Sequence, residues 1–172
     1  EACLYGMQRW FCNPDTALAD FHKQSIFQVL HMEFEALFSD PTILDNTKFF
    51  MGLGSIQAAI ETTPDIVGFA LDASDNLDFI SSNAAATRVA GVVAVADLST
   101  WTKYEIVVGQ GQVECFIDGK SGGAQAGGII NTVANLPETA LYPVFHLVQE
   151  GGAGNPDLWI GTVRIWVEDI LR

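Results

Sequence analysis

The sequence predicts an all-β fold: two antiparallel sheets stacked as a sandwich of about a dozen strands. Three observations predict it. Apolar and polar residues alternate with period two over much of the 172-residue chain, as in strands with one buried side. Turn signals recur roughly every 8–12 residues. Neither an internal repeat nor a strand–helix–strand alternation appears, which favours antiparallel layers.

The elements follow in order. In SIFQVLHMEFEALF, Leu30, Met32, Phe34, Ala36 and Phe38 share one face while His31, Glu33 and Glu35 share the other, so a long strand with a buried and an open side is expected. KFFMGLGSI and IVGFALD read as apolar strands separated by the polar ETTPD. LDASDNLDFISS reads as a hairpin around Ser74-Asp75-Asn76. The Ala/Val-rich stretch before Leu98 suits strand or loop. WTKYEIVVGQGQVECFIDGK is two strands joined at Gly109-Gln110-Gly111, with a second turn at Asp118-Gly119. A Gly/Ala-rich loop with one short strand comes next. TALYPVFHLVQ is a long strand whose Pro143 suggests an edge or a bulge. DLWIGTVRIWVE closes the pattern. Strict alternation there puts Trp159, Gly161, Val163, Ile165 and Val167 on one face and Leu158, Ile160, Thr162, Arg164 and Trp166 on the other. ALADFHKQ offers a weak helical turn.

Composition narrows function. The chain is 49% hydrophobic and 17% charged, with 21 acidic and 8 basic residues and a formal charge of −13; its mean hydropathy is +0.24. Such an acidic chain is repelled by phosphate backbones and anionic lipid, which argues against nucleic acid and membrane surfaces. No apolar run reaches the roughly 18 residues that would span a bilayer. The first residue is Glu1, so the initiator is expected to have been removed or the chain to be part of a longer one. Residues 1–25, rich in large apolar groups, lie outside the strand pattern and are expected to form an arm on neighbouring subunits; residues 26–172 form the sandwich. Cys115 alternates in phase with Val113 and Ile117 and is expected in the core. A Cys3–Cys12 bridge remains open.

The stretch Trp101-x-Lys103-Tyr104-x-Ile106-x-Val108, a Gly-containing turn, then Val113-x-Cys115-Phe116-Ile117-Asp118-Gly119 resembles the strand pair of concanavalin A-like and laminin-G-like jelly rolls. NLPETALYPVFHLV and DLWIGTVRIWVE are similar to the last strands of such domains in bacteriophage and other viral structural proteins. The resemblance covers residues 26 to 168. It implies a jelly roll, and it is compatible with lectins, glycanases and architectural modules alike. Asp118 is expected to bond its own following backbone, Gly119 to take a left-handed conformation, and Trp101 to anchor the core edge.

Several constellations bear on chemistry. A glycanase of this fold would resemble the Glu-x-Asp-x-x-Glu pattern; His31-x-Glu33-x-Glu35 is the nearest match and lacks its central Asp and last Glu. Glu33 and Glu35 lie about 6.5–7 Å apart along a strand, within reach of paired acid and nucleophile roles, or form a solvated face. Asp72, Ser74, Asn76 and Asp78 have the alternating oxygen spacing of a calcium loop, without its Gly and distant Glu, and serve equally as hairpin turn residues. Calcium is therefore the one cofactor kept in view. His22, His31 and His146 have no metal-ligand spacing; His31 and His146 would share a metal only on neighbouring strands. GQGQ sits between strands, not before a helix, so it cannot cradle a phosphate. Trp10, Trp159 and Trp166 would stack on sugars if exposed.

The expected function is non-enzymatic. The first reading is a virion or other extracellular assembly subunit (capsid decoration, head fibre or tail-associated), self-associating or binding other subunits. The alternative is a lectin-like module binding glycans through Trp159, Trp166, His31 and Glu33, and the third a glycoside hydrolase using Glu33 and Glu35.

Overall fold

The computed structural model describes residues 2–5, 28–38, 47–55, 63–71, 77–83, 89–92, 98–109, 112–121, 128–131, 135–137, 141–149 and 157–169. These contain twelve strands: β1 (Ala2–Tyr5), β2 (Gln28–Phe38), β3 (Thr47–Gly54), β4 (Ile66–Leu71), β5 (Leu77–Ser82), β6 (Val89–Val92), β7 (Thr102–Gly109), β8 (Gln112–Ile117), β9 (Lys120–Ser121), β10 (Ile129–Ile130), β11 (Tyr142–Gln149) and β12 (Leu158–Asp169). They form two antiparallel sheets. One runs β1-β11-β3-β4-β5-β6; the other runs β10-β8-β7-β2-β12, with β9 added to β8. This is the two-sheet antiparallel sandwich expected from the alternation. No helix among the described residues is long and apolar enough to cross a membrane.

Between the sheets lies one core. Leu30, Met32, Phe34, Ala36 and Phe38 of β2 all point into it, as do Tyr104, Ile106 and Val108 of β7 and Phe49, Met51, Leu53, Val67, Phe69 and Phe79 of the facing sheet. Phe34 is its hub: its ring lies 5.4 Å from Tyr104 on its own sheet and 5.2 and 6.2 Å from Phe145 and Phe69 opposite. Fully burying such a side chain stabilises the fold by about 1.5–3 kcal/mol. Cys115 is completely buried here, as its phase requires.

The two outer faces differ. The sheet of β3 and β4 buries a second cluster on its outer side, Phe50, Ile66, Ile80 and Val144. The sheet of β2 and β7 is polar there: His31 and Glu33 are half-buried and Glu35 is exposed on β2, between their buried neighbours. An apolar sheet face has to be covered, whereas a polar one can remain open to ligands. The open polar face is thus that of the β2 sheet.

Local chemistry explains the connections. β8 and β9 are joined by Asp118-Gly119, both at positive φ (51° and 75°), the two-residue hairpin turn that matches strand twist. The Asp118 carboxylate reaches across to β7: its Oδ1 accepts from the Lys103 amide at 3.0 Å, while the Asp118 amide donates to the Lys103 carbonyl at 2.8 Å. Gly109 pairs with Gln112, closing the β7–β8 hairpin. Pro143 is on β11, opposite Leu53 of β3 and one residue beyond Val144, the last β11 residue paired with β1 among the described residues. Ala2–Tyr5, within the segment set apart as an arm, pair with β11. The rest of that segment, with Cys12, Trp10, His22 and the weak helical turn, lies outside the described residues.

Candidate functional site

On the outer face of the β2 sheet, side chains fall into rows set by register. His31 stands opposite Val107 and Trp166, and Glu33 opposite Glu105 and Arg164. Glu35 faces Lys103, and Leu37 faces Trp159. Trp101 comes directly before Thr102, which pairs with Ala36.

Strict alternation would separate Trp159 from Trp166, and this expectation is corrected. Ile160 pairs with Ala36, but Val163 pairs with Phe34, so β12 spends three residues where β2 spends two. One extra residue is a β-bulge, and it inverts the phase of everything beyond it. Leu158 and Ile160 pack on the core before the bulge and Ile165 after it. Trp159, Arg164 and Trp166 thus all belong to the outer face. Gly161 lies within the bulge. A Cβ there would meet the Glu35 Cβ and Oε2 at 3.1 Å and Trp101 Cζ3 at 3.3 Å, so the glycine makes room for both side chains.

Trp101 also departs from expectation. Instead of anchoring the core edge it is 54% exposed, like Trp159 (55%) and Trp166 (38%). Its ring reaches across β2 towards Gly161. Six strand positions separate the Leu37 row from the His31 row, so the indoles span about 20 Å. Large rings rarely stay open to water without purpose when they share a surface.

Charged groups interleave with the rings. The His31 imidazole stacks on Trp166 at 4.8 Å, 6° from parallel. Its Nδ1 lies 2.7 Å from Glu105 Oε1 and its Nε2 lies 3.4 Å from Glu168 Oε2. A neutral ring with its proton on Nδ1 donates to Glu105; a protonated one has a carboxylate beside each nitrogen. Glu33 is held by the Lys103 ammonium and, at 3.7 Å, by Arg164 Nη1. Glu35 forms no ion pair or hydrogen bond with another described residue.

Of the sugar-site candidates named from sequence, His31, Glu33, Trp159 and Trp166 are on this face. Sequence reasoning missed Trp101 as a surface ring, Glu105 and Glu168 around the imidazole, and Gly161. A glycine inside an otherwise regular strand was the available signal for the bulge. The calcium candidates Asp72, Ser74 and Asn76 lie outside the described residues. Asp78 is buried on the other sheet, opposite Ala70 and Val92. His31 and His146 occupy different sheets and so are not the neighbours a shared metal would need. Among the described residues no three His, Cys, Asp or Glu side chains converge as metal ligands would.

No protein-family model and no curated protein matches the sequence. Solved structures do. An alginate lyase in complex with dimannuronate matches at 11% identity and a TM-score of 0.57, over 83% of this chain and 65% of that one. A family 7 alginate lyase variant in complex with substrate matches at 14% identity and 0.55, over 86% and 64%. The binding domain of botulinum neurotoxin DC in complex with SialylT matches at 12% and 0.54, over 84% and 33%. The chain thus spans just under two thirds of the lyases and a third of the toxin fragment. These matches establish the jelly-roll β-sandwich fold. They also correct the expectation of a non-enzyme. That expectation leaned on a missing glycanase pattern, yet the same fold carries lyases, for which that pattern is no test. None of the three proteins is a viral structural subunit.

Proposed function

We propose that the outer face of the β2 sheet binds a glycan, with Trp101, Trp159 and Trp166 stacking on sugar rings and the charged side chains between them bonding hydroxyl edges. One observation carries this reading: a bulge in β12 brings Trp159 and Trp166 to the polar face on which Trp101 is also exposed. A sugar presents apolar C–H faces and hydroxyl edges. A surface of flat rings separated by carboxylates and cations complements both. The fold relatives support the reading, since two of them hold saccharide ligands by description. The virion-subunit expectation finds no comparable support and gives way to it. Glycan binding suits a chain that works outside the cell, where polysaccharides are met.

Affinity electrophoresis on a panel of immobilised polysaccharides tests the proposal. At least one polysaccharide should retard the wild type. Trp159→Ala and Trp166→Ala should each weaken that binding about tenfold, as expected for a lost stacking ring, with unchanged far-ultraviolet circular dichroism. Retardation by none of the polysaccharides, or undiminished retardation of both variants, would refute it.

A second reading, that the face also cleaves its glycan, is favoured by the His31–Glu105 contact. A carboxylate-held imidazole can serve as a proton acceptor. Release of new chain ends by the wild type and not by His31→Asn is the expected outcome of that reading.

A further inference from the structure

The bulge does more than align rings. We infer that it builds a subsite for a sugar carrying an ammonium group, formed on the solvent side of the Trp101 indole and the Glu35 carboxylate where Gly161 lets the two close together. The inference rests on the glycan reading above and names the class of glycan.

Three observations converge on it. First, Glu35 Oε2 and Trp101 Cζ3 lie 3.1 and 3.3 Å from the point where a Gly161 Cβ would stand. An exposed carboxylate and an exposed indole therefore meet over bare backbone. A cation between such groups gains a charge-assisted bond from one and a cation–π contact from the other. Second, Glu35 pairs with no cation among the described residues. Lys103 stands opposite it in register, but the Lys103 ammonium is engaged by Glu33, which also takes Arg164. Third, among the described residues the face carries Glu33, Glu35, Glu105, Glu114 and Glu168 against Lys103 and Arg164, on a chain of net charge −13. That field concentrates cations and repels polyuronates, so a mannuronate polymer is a poor occupant and a glucosamine polymer a good one.

Isothermal titration calorimetry in mildly acidic, low-salt buffer, where the glucosamine amine is charged, tests the assignment with three oligomers of equal length: glucosamine, N-acetylglucosamine and mannuronate. Glucosamine should bind tightest and mannuronate weakest. Glu35→Gln should weaken glucosamine binding about tenfold, the order expected for one charge-assisted contact, and N-acetylglucosamine binding less than about twofold. Gly161→Ala, whose methyl would meet Glu35 and Trp101 at 3.1 and 3.3 Å and push them apart, should reproduce the loss. Glu114→Gln removes the same charge from β8, across the sheet, and should change little. Equal loss in Glu35→Gln and Glu114→Gln would reduce the effect to bulk charge and overturn the subsite. Equal affinity for the charged and acetylated oligomers would overturn it too while leaving the glycan reading intact. Binding of no oligomer or polysaccharide at all would remove both.

Discussion

Cys115 shows how a single side chain reports on the layer that surrounds it. Burial, followed by the charge of Glu114, pushes its thiol from an ordinary 9.0 up to about 12. Burial likewise raises the Tyr104 phenol well above its usual range. Both groups are held neutral in the folded chain, so each favours folding fully below its unfolded pKa and loses that contribution as pH rises towards its folded one. Stability should therefore fall between about pH 9 and 12, and Cys115→Val should soften the early part of that fall; urea midpoints measured across this range check the sign. At neutral pH the native thiol should resist iodoacetamide and react once the chain is unfolded. The position of Cys115 was legible because its alternation with Val113 and Ile117 describes an uninterrupted strand. Trp101 was not legible. It lies just before its strand, where alternation carries no phase, and only tertiary contact with the β12 bulge decides which way the ring turns.

At the scale of the element, β12 holds the decisive irregularity. Period-two reading recovered which face of the regular strands is buried, because each has one face that must be buried and a register slip would expose it. It failed on β12 for the same physical reason. The strand keeps Leu158 and Ile160 on the core and also Ile165, residues of opposite parity, which only an inserted residue can reconcile. Deleting Gly161 should remove the insertion and leave a regular ladder: Leu158, Ile160, Val163 and Ile165 then alternate towards the core, and Trp159, Arg164 and Trp166 keep their places outside. Thr162 would then stand opposite Glu35, and its side chain would crowd the Glu35 carboxylate and the Trp101 ring where Gly161 leaves them room. That variant should keep the wavelength of its tryptophan emission while its glycan affinity drops, because the Trp101–Glu35 pair is disturbed. An emission shift to shorter wavelength would refute this account of β12.

For the whole molecule, charge and fold pull in different directions. A net charge of −13 on 172 residues repels itself in the compact state, and salt screens that repulsion beyond roughly 10 Å at 0.1 M. The local pairs on the outer face of the β2 sheet, Glu33 with Lys103 and Arg164 and His31 with Glu105, are half-exposed and contribute little each. Screening should therefore act mainly on the global repulsion. Thermal midpoints should rise as sodium chloride goes from about 10 to 200 mM, within the range where the screening length shortens most. Binding of a cationic oligomer should respond with the opposite sign, weakening over the same range because its attraction to the face is screened as well. A neutral oligomer held by stacking should be nearly indifferent. Measuring the three responses on one preparation separates the contributions: stability that falls with salt would refute the repulsion argument, and cationic binding that rises with salt would show that the acidic face is not what holds the ligand.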